Sequence, residues 1–135
     1  MRSVLARQLV PRPREELYAL LADLRGHWQL AGRWVHPLEL RQDGGVVQVR
    51  GPGGLRRTVI TELTRLEPPG LVAGEARSGA TRASICWELE PSGRRTLVTL
   101  RADIDRAAPL DRALLALGGS QWLAGRFAKT LQELR

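Results

Sequence analysis

The chain has 135 residues, 43% hydrophobic and 26% charged, which is ordinary for one globular domain with a single core. No run reaches the ~18 apolar residues of a membrane span, and the first ten residues lack the apolar core of a secretion signal. A net charge of +7 and a pI near 11.3 raise the question of an anionic partner. The arginines are strung along the chain, however, Lys129 is the only lysine, and no alternation of aromatic and basic residues marks a nucleic-acid surface. The charge does favour acidic ligand head groups. Cys86 stands alone, which excludes an internal disulfide and any cysteine metal cluster within one chain. The expectation is a single cytoplasmic domain over residues 1–135, monomer or homodimer, with no nucleic-acid partner, metal or cofactor.

Ser3 to Val10 reads as a first strand, stopped by Pro11 and Pro13, which cannot donate to a sheet ladder. Pro13-Arg14-Glu15-Glu16 opens a short helix, with acidic residues in its positive first turn and Leu17, Leu20, Leu21 and Leu24 on one face. A second short helix is predicted after Asp23, through His27, Trp28 and Leu30 to about Gly32.

From Val35 to Ile104 no helical period is sustained. Strands are predicted at Val35–Arg41, Val46–Arg50, Arg57–Leu66, Leu71–Ala76, Thr81–Glu90 and Thr96–Ile104. Between them stand turn formers such as Asp43-Gly44-Gly45, Pro68-Pro69-Gly70 and Pro91-Ser92-Gly93. Such short connections imply antiparallel neighbours. Ala83, Ile85, Trp87 and Leu89 alternate with Ser84, Cys86, Glu88 and Glu90, and Val98, Leu100, Ala102 and Ile104 repeat the pattern. One dry face implies a sheet covered on one side.

The cover is the closing stretch, Pro109 to Arg135, which reads as one long helix. Leu110, Leu114, Leu117, Gln121, Ala124, Phe127, Ala128 and Leu131 recur at three- and four-residue steps as its apolar stripe. Asp111, Arg112, Arg126 and Lys129 fall towards water, with Asp111 favouring the helix N-terminus. Gly118-Gly119 interrupts the stretch. Either it breaks the helix in two, with Ser120 capping the second part, or it permits close approach to the sheet or a ligand.

Strand, two short helices, six-strand meander and long terminal helix follow the order of the α+β helix-grip fold. The segments Pro13 to Asp23 with Trp28, Thr61 to Leu71 with its double proline, and Cys86 to Thr99 resemble the START/Bet v 1-like (SRPBCC) superfamily, in particular its polyketide cyclase/dehydrase-like branch. The resemblance spans nearly the whole chain. It implies a curved antiparallel sheet of about seven strands wrapped around the C-terminal helix, with an apolar cavity between them. It also implies a small hydrophobic or amphipathic ligand, such as a lipid, an isoprenoid or a polyketide-like molecule. Some members catalyse cyclisation, dehydration or hydrolysis, so a cyclase or dehydratase is the enzymatic rival. An interaction module with a vestigial cavity is the third reading.

On that fold the candidate ligand-binding residues are Trp28, Trp34, Ile85, Trp87, Leu100, Leu117, Gln121, Ala124 and Phe127. Gln121 is singled out because a buried amide needs partners. Trp122 flanks the stripe. His27 and His36 border the expected cavity mouth, as an acid–base pair or as partly solvated groups, and their spacing is no metal motif. Glu62, Glu75, Glu88 and Arg101 have two readings, cavity acids or the solvated sheet face, and the alternation favours the second. Cys86 shares the outward face, with no histidine partner in view.

Overall fold

A computed structural model describes residues 2–27, 35–50 and 56–134. Strand β1 (Arg2–Val10) is followed by helices α1 (Arg14–Leu21) and α2 (Leu24–His27). A meander then runs through β2 (Val35–Leu40), β3 (Gly44–Arg50), β4 (Arg56–Glu67), β5 (Leu71–Ser78), β6 (Thr81–Ser92) and β7 (Arg95–Arg106). The chain closes with α3 (Pro109–Leu114), a π-type turn over Leu115–Gly119, and α4 (Ser120–Gln132). All seven strands form one antiparallel sheet in the order β1-β7-β6-β5-β4-β3-β2. This is the helix-grip architecture that the element order predicts.

Several strands outrun their predicted bounds. β3 begins at Gly44, and β6 continues through Pro91, which pairs with Thr96. The reversals fall at Gly79 and Gly93, whose φ of 58° and 63° are open to glycine at no steric cost. The second short helix is confined to Leu24–His27 among the described residues; the rest of its predicted span lies outside them.

The sheet bends because its ladders slip. Register shifts occur between Pro37 and Glu39, between Leu63 and Arg65, and between Arg82 and Ala83, and each extra residue adds local curl. On the concave face the main core gathers Val10, Leu17, Leu21, Val98, Leu131 and Leu134, with Trp87, Leu89 and Phe127. Leu17 and Leu21, one helical turn apart, turn the buried side of α1 towards this cluster. Packing is thus dense beneath the C-terminal part of α4, which lies against β1 and β7. Arg12 ties down that end: its Nη1 donates to the Leu134 carbonyl at 3.2 Å, and its own carbonyl accepts from Thr96 Oγ1 at 2.7 Å.

The closing helix is where expectation and structure part. Leu117 (φ −91°, ψ 17°) and Gly118 (φ 112°, ψ −1°) leave helical geometry, so α3 and α4 meet at a kink. The N-cap position of α4 is Gly119 rather than Ser120, whose hydroxyl donates to the Leu115 carbonyl at 3.5 Å. The buried face keeps Leu114, Ala124, Phe127 and Leu131 of the predicted stripe and departs from it elsewhere. Asp111, predicted to face water, is 8% exposed, whereas Leu110 is 65% and Leu117 86% exposed. Gln121 and Ala128 are exposed as well. Leu115, Trp122 and Leu123 join the four retained residues on the inward face. Leu117 sits at the kink itself, and the Asp111 clasp described below holds the first turn of α3 with Leu110 outward.

Candidate functional site

A cavity of about 300 Å³ lies between the N-terminal half of the closing helix and the β4–β6 part of the sheet. Its origin is legible in the cross-strand rows. Thr61 of β4 pairs with Ala76 of β5, which pairs with Ala83 of β6, so three small residues stand side by side on the concave floor. In the next row Gly74 faces Ile85. Leu63, Trp87, Leu100 and Ala102 continue the floor, and Leu114, Leu115, Trp122, Leu123 and Phe127 form the roof. The wall is predominantly apolar, and small side chains below a kinked helix leave it unfilled.

The polar groups gather towards one end. Arg57 of β4 donates through Nη1 to Asp111 Oδ2 at 2.7 Å and through Nη2 to Oδ1, a forked pair. Thr81 Oγ1 also donates to Asp111 Oδ2 and accepts the Ala108 N–H at 3.0 Å. The Arg57 hydrogen bonds hold the Asp111 carboxyl below the ordinary carboxylate range; burial opposes this and the Thr81 hydroxyl assists it. The same bonds raise Arg57 further above its already high value. Two clasps therefore pin the closing segment, Arg57–Asp111 at its start and Arg12–Leu134 near its end, with the kink between them.

Of the residues singled out from the sequence, Ile85, Trp87, Leu100 and Phe127 are brought together in the cavity wall. Ala124 packs on the core beside it. Leu117 and Gln121 are corrected: they lie on the outer side of the helix, exposed, for the reasons given above. Trp122, expected beside the stripe, is a wall residue, and the Arg126 guanidinium lies 5.4 Å from its ring centroid. Trp28 and Trp34 lie outside the described residues. His36 is exposed on edge strand β2 and takes no part in the wall, because its neighbour Val35 takes the inward side.

Glu62 and Glu75 sit directly opposite each other, exposed, on the face away from Thr61 and Ala76. Glu88, Arg101 and Cys86 are on that outer face too, where Arg101 Nε donates to Asp103 at 3.1 Å. Burial, seconded by the charge of Glu88, raises the Cys86 thiol above its usual value, away from the thiolate form. Among the described residues no cluster of histidine, cysteine and carboxylate side chains has the makings of a metal site. No helix there is long and apolar enough to cross a membrane.

The sequence reading missed Arg57, Thr61, Thr81 and Asp111. A signal was present: Arg57, Val59, Thr61 and Leu63 alternate along β4, so two polar residues share a face with two apolar ones.

A one-sided antiparallel sheet gripping a terminal helix over an apolar hollow defines the START/Bet v 1-like class. The family model described as polyketide cyclase / dehydrase and lipid transport matches residues 1–135, and the chain belongs to that family. Among solved structures it is similar to TTHA0849 from Thermus thermophilus, at 18% identity and a TM-score of 0.70, covering 98% of this chain and 94% of that one. It is also similar to DR_A0006 from Deinococcus radiodurans, at 25% identity and a TM-score of 0.65, covering 98% of each chain. DynU16, a protein in the dynemicin biosynthetic locus, shares 18% identity and a TM-score of 0.58 over 96% of this chain and 47% of its own. None of the curated proteins compared with the chain matches it.

Proposed function

We propose that this protein binds a small hydrophobic or amphipathic molecule, a lipid, an isoprenoid or a polyketide-like compound, in the cavity between sheet and closing helix. The observation that carries the reading is the cavity itself, about 300 Å³ with an apolar wall. That is the lower end of the volume range of small-molecule sites. An interior plugged by side chains would instead have favoured the interaction-module reading. The family description joins polyketide chemistry to lipid transport, and an apolar chain or ring system is common to both.

Binding is favoured over catalysis because Asp111, a carboxylate of the wall, is kept ionised by Arg57 and Thr81 and serves to fasten the helix. Glu62 and Glu75 border the cavity, but they are exposed and alternate away from Thr61 and Ala76, and Glu88 shares that outer face. The test is a thermal-shift and calorimetric screen with fatty acids, isoprenoid quinones and aromatic polyketides, alongside an Ala83→Phe variant that fills the floor. Binding of at least one class to the natural chain, lost in the folded variant, supports the proposal. No stabilisation by any class, or binding indifferent to Ala83→Phe, overturns it.

A further inference from the structure

The cavity wall contains three threonines, and two of them are engaged. Thr81 Oγ1 bonds to Asp111 and Ala108, and Thr130 Oγ1 donates to the Arg126 carbonyl at 3.0 Å. Thr61 is different. It is 5% exposed, and its Oγ1 has no hydrogen-bond partner among the described residues. The alternation of β4 puts its side chain on the concave face with Arg57, Val59 and Leu63, in the cavity wall. Its cross-strand neighbours are Gly45 and Ala76, so no large side chain from either adjacent strand stands directly opposite it.

A hydroxyl withdrawn from water and left without a partner is a net cost to the fold. Valine has nearly the same shape, suits a strand at least as well, and would avoid that cost. A position where the fold gains nothing from the hydroxyl is one where a ligand can. The hydroxyl both donates and accepts, and the charged Arg57–Asp111 clasp is four residues away along the same strand, roughly 13 Å. The partner that fits is therefore a neutral oxygen set within an otherwise apolar molecule.

We infer that Thr61 is a specificity-determining anchor: the cavity selects hydrophobic molecules bearing a carbonyl or hydroxyl in their apolar body over plain hydrocarbons of the same shape. This rests on the ligand-binding reading above.

The test uses a matched pair of probes, fluorene and 9-fluorenone, which differ by one carbonyl, titrated into the natural chain, Thr61→Val and Thr61→Ser. The expected result is about tenfold tighter binding of fluorenone than fluorene by the natural chain, from one buried hydrogen bond. Thr61→Val is expected to abolish that preference with fluorene binding retained, and Thr61→Ser to keep most of it. Thr61→Val should also unfold at the same temperature as the natural chain or higher, which needs no ligand to measure. A preference that survives Thr61→Val, or a lowered unfolding temperature in that variant, overturns the anchor and leaves the cavity reading standing. If neither probe binds the natural chain, the anchor falls, and the ligand-binding reading is decided by the screen above.

Discussion

The guanidinium of Arg57 on β4 and the carboxylate of Asp111 on α3 meet face to face, two nitrogens on two oxygens, across the end of the cavity. The pair joins roof to floor and holds the Asp111 side of α3 inward. Because Arg57 is about 38% exposed, solvent screens it, and its removal by Arg57→Ala is expected to cost about 1–2 kcal/mol. The pH dependence has a definite sign. Asp111 is held below its unfolded value, so its contribution is complete above that value, about 3.9, and is lost as pH falls from there through the folded pKa. The stability gap between the natural chain and Asp111→Asn should therefore be flat from neutral pH to about pH 5 and close in more acidic solution. A gap that widens on acidification would contradict the assignment.

Gly74 lies in the floor at a close approach of two strands. A Cβ there would meet the Glu62 carbonyl oxygen at 2.4 Å, in the backbone of β4 just before the slip between Leu63 and Arg65. Backbone cannot swing aside as a long side chain does, so the strands must part or the bulge must move. Gly74→Ala is expected to destabilise by about 1–3 kcal/mol in chemical denaturation. Gly125→Ala, where a Cβ meets nothing within 4 Å, is the control and should be neutral or slightly stabilising.

The contrast between strands and helix explains what the sequence could disclose. Ile85, Trp87 and Leu100 were legible as wall residues because a strand offers only two faces, and the alternation of β6 and β7 fixes which is dry. The closing helix offers a continuum of directions, so Leu114, Ala124, Phe127 and Leu131 kept their places while neighbours one position away along the stripe did not. Leu117 and Gln121 were lost in that way, and Asp111, Trp122 and Leu123 gained. The contact that holds Asp111 inward spans 54 positions of sequence, from Arg57, and no local period reports it. The hollow that the resemblance implied could not be placed on particular residues for a similar reason. Thr61, Ala76 and Ala83 are ordinary residues along the chain and become a floor only when the register lays them side by side.

The kink makes the last prediction, and here the sign alone decides. In an unbroken helix, replacing an interior glycine by alanine raises stability by about 1 kcal/mol, because the unfolded chain loses freedom and the helix gains a better former. Gly118 has φ 112°, outside helical geometry and in a region where an L side chain is strained. No neighbour lies within 4 Å of its notional Cβ, so the whole effect is carried by the backbone. Gly118→Ala is therefore expected to destabilise by about 1–3 kcal/mol. At Gly119 the backbone is helical, but a Cβ would meet the Leu114 carbonyl oxygen at 2.7 Å, so Gly119→Ala should also destabilise, by loosening the π-type turn. Hydrogen exchange should locate both effects in residues 109–122, with protection in β6 and β7 unchanged. A gain in stability from Gly118→Ala would mean that the roof is one straight helix, with the hollow beneath it reshaped accordingly.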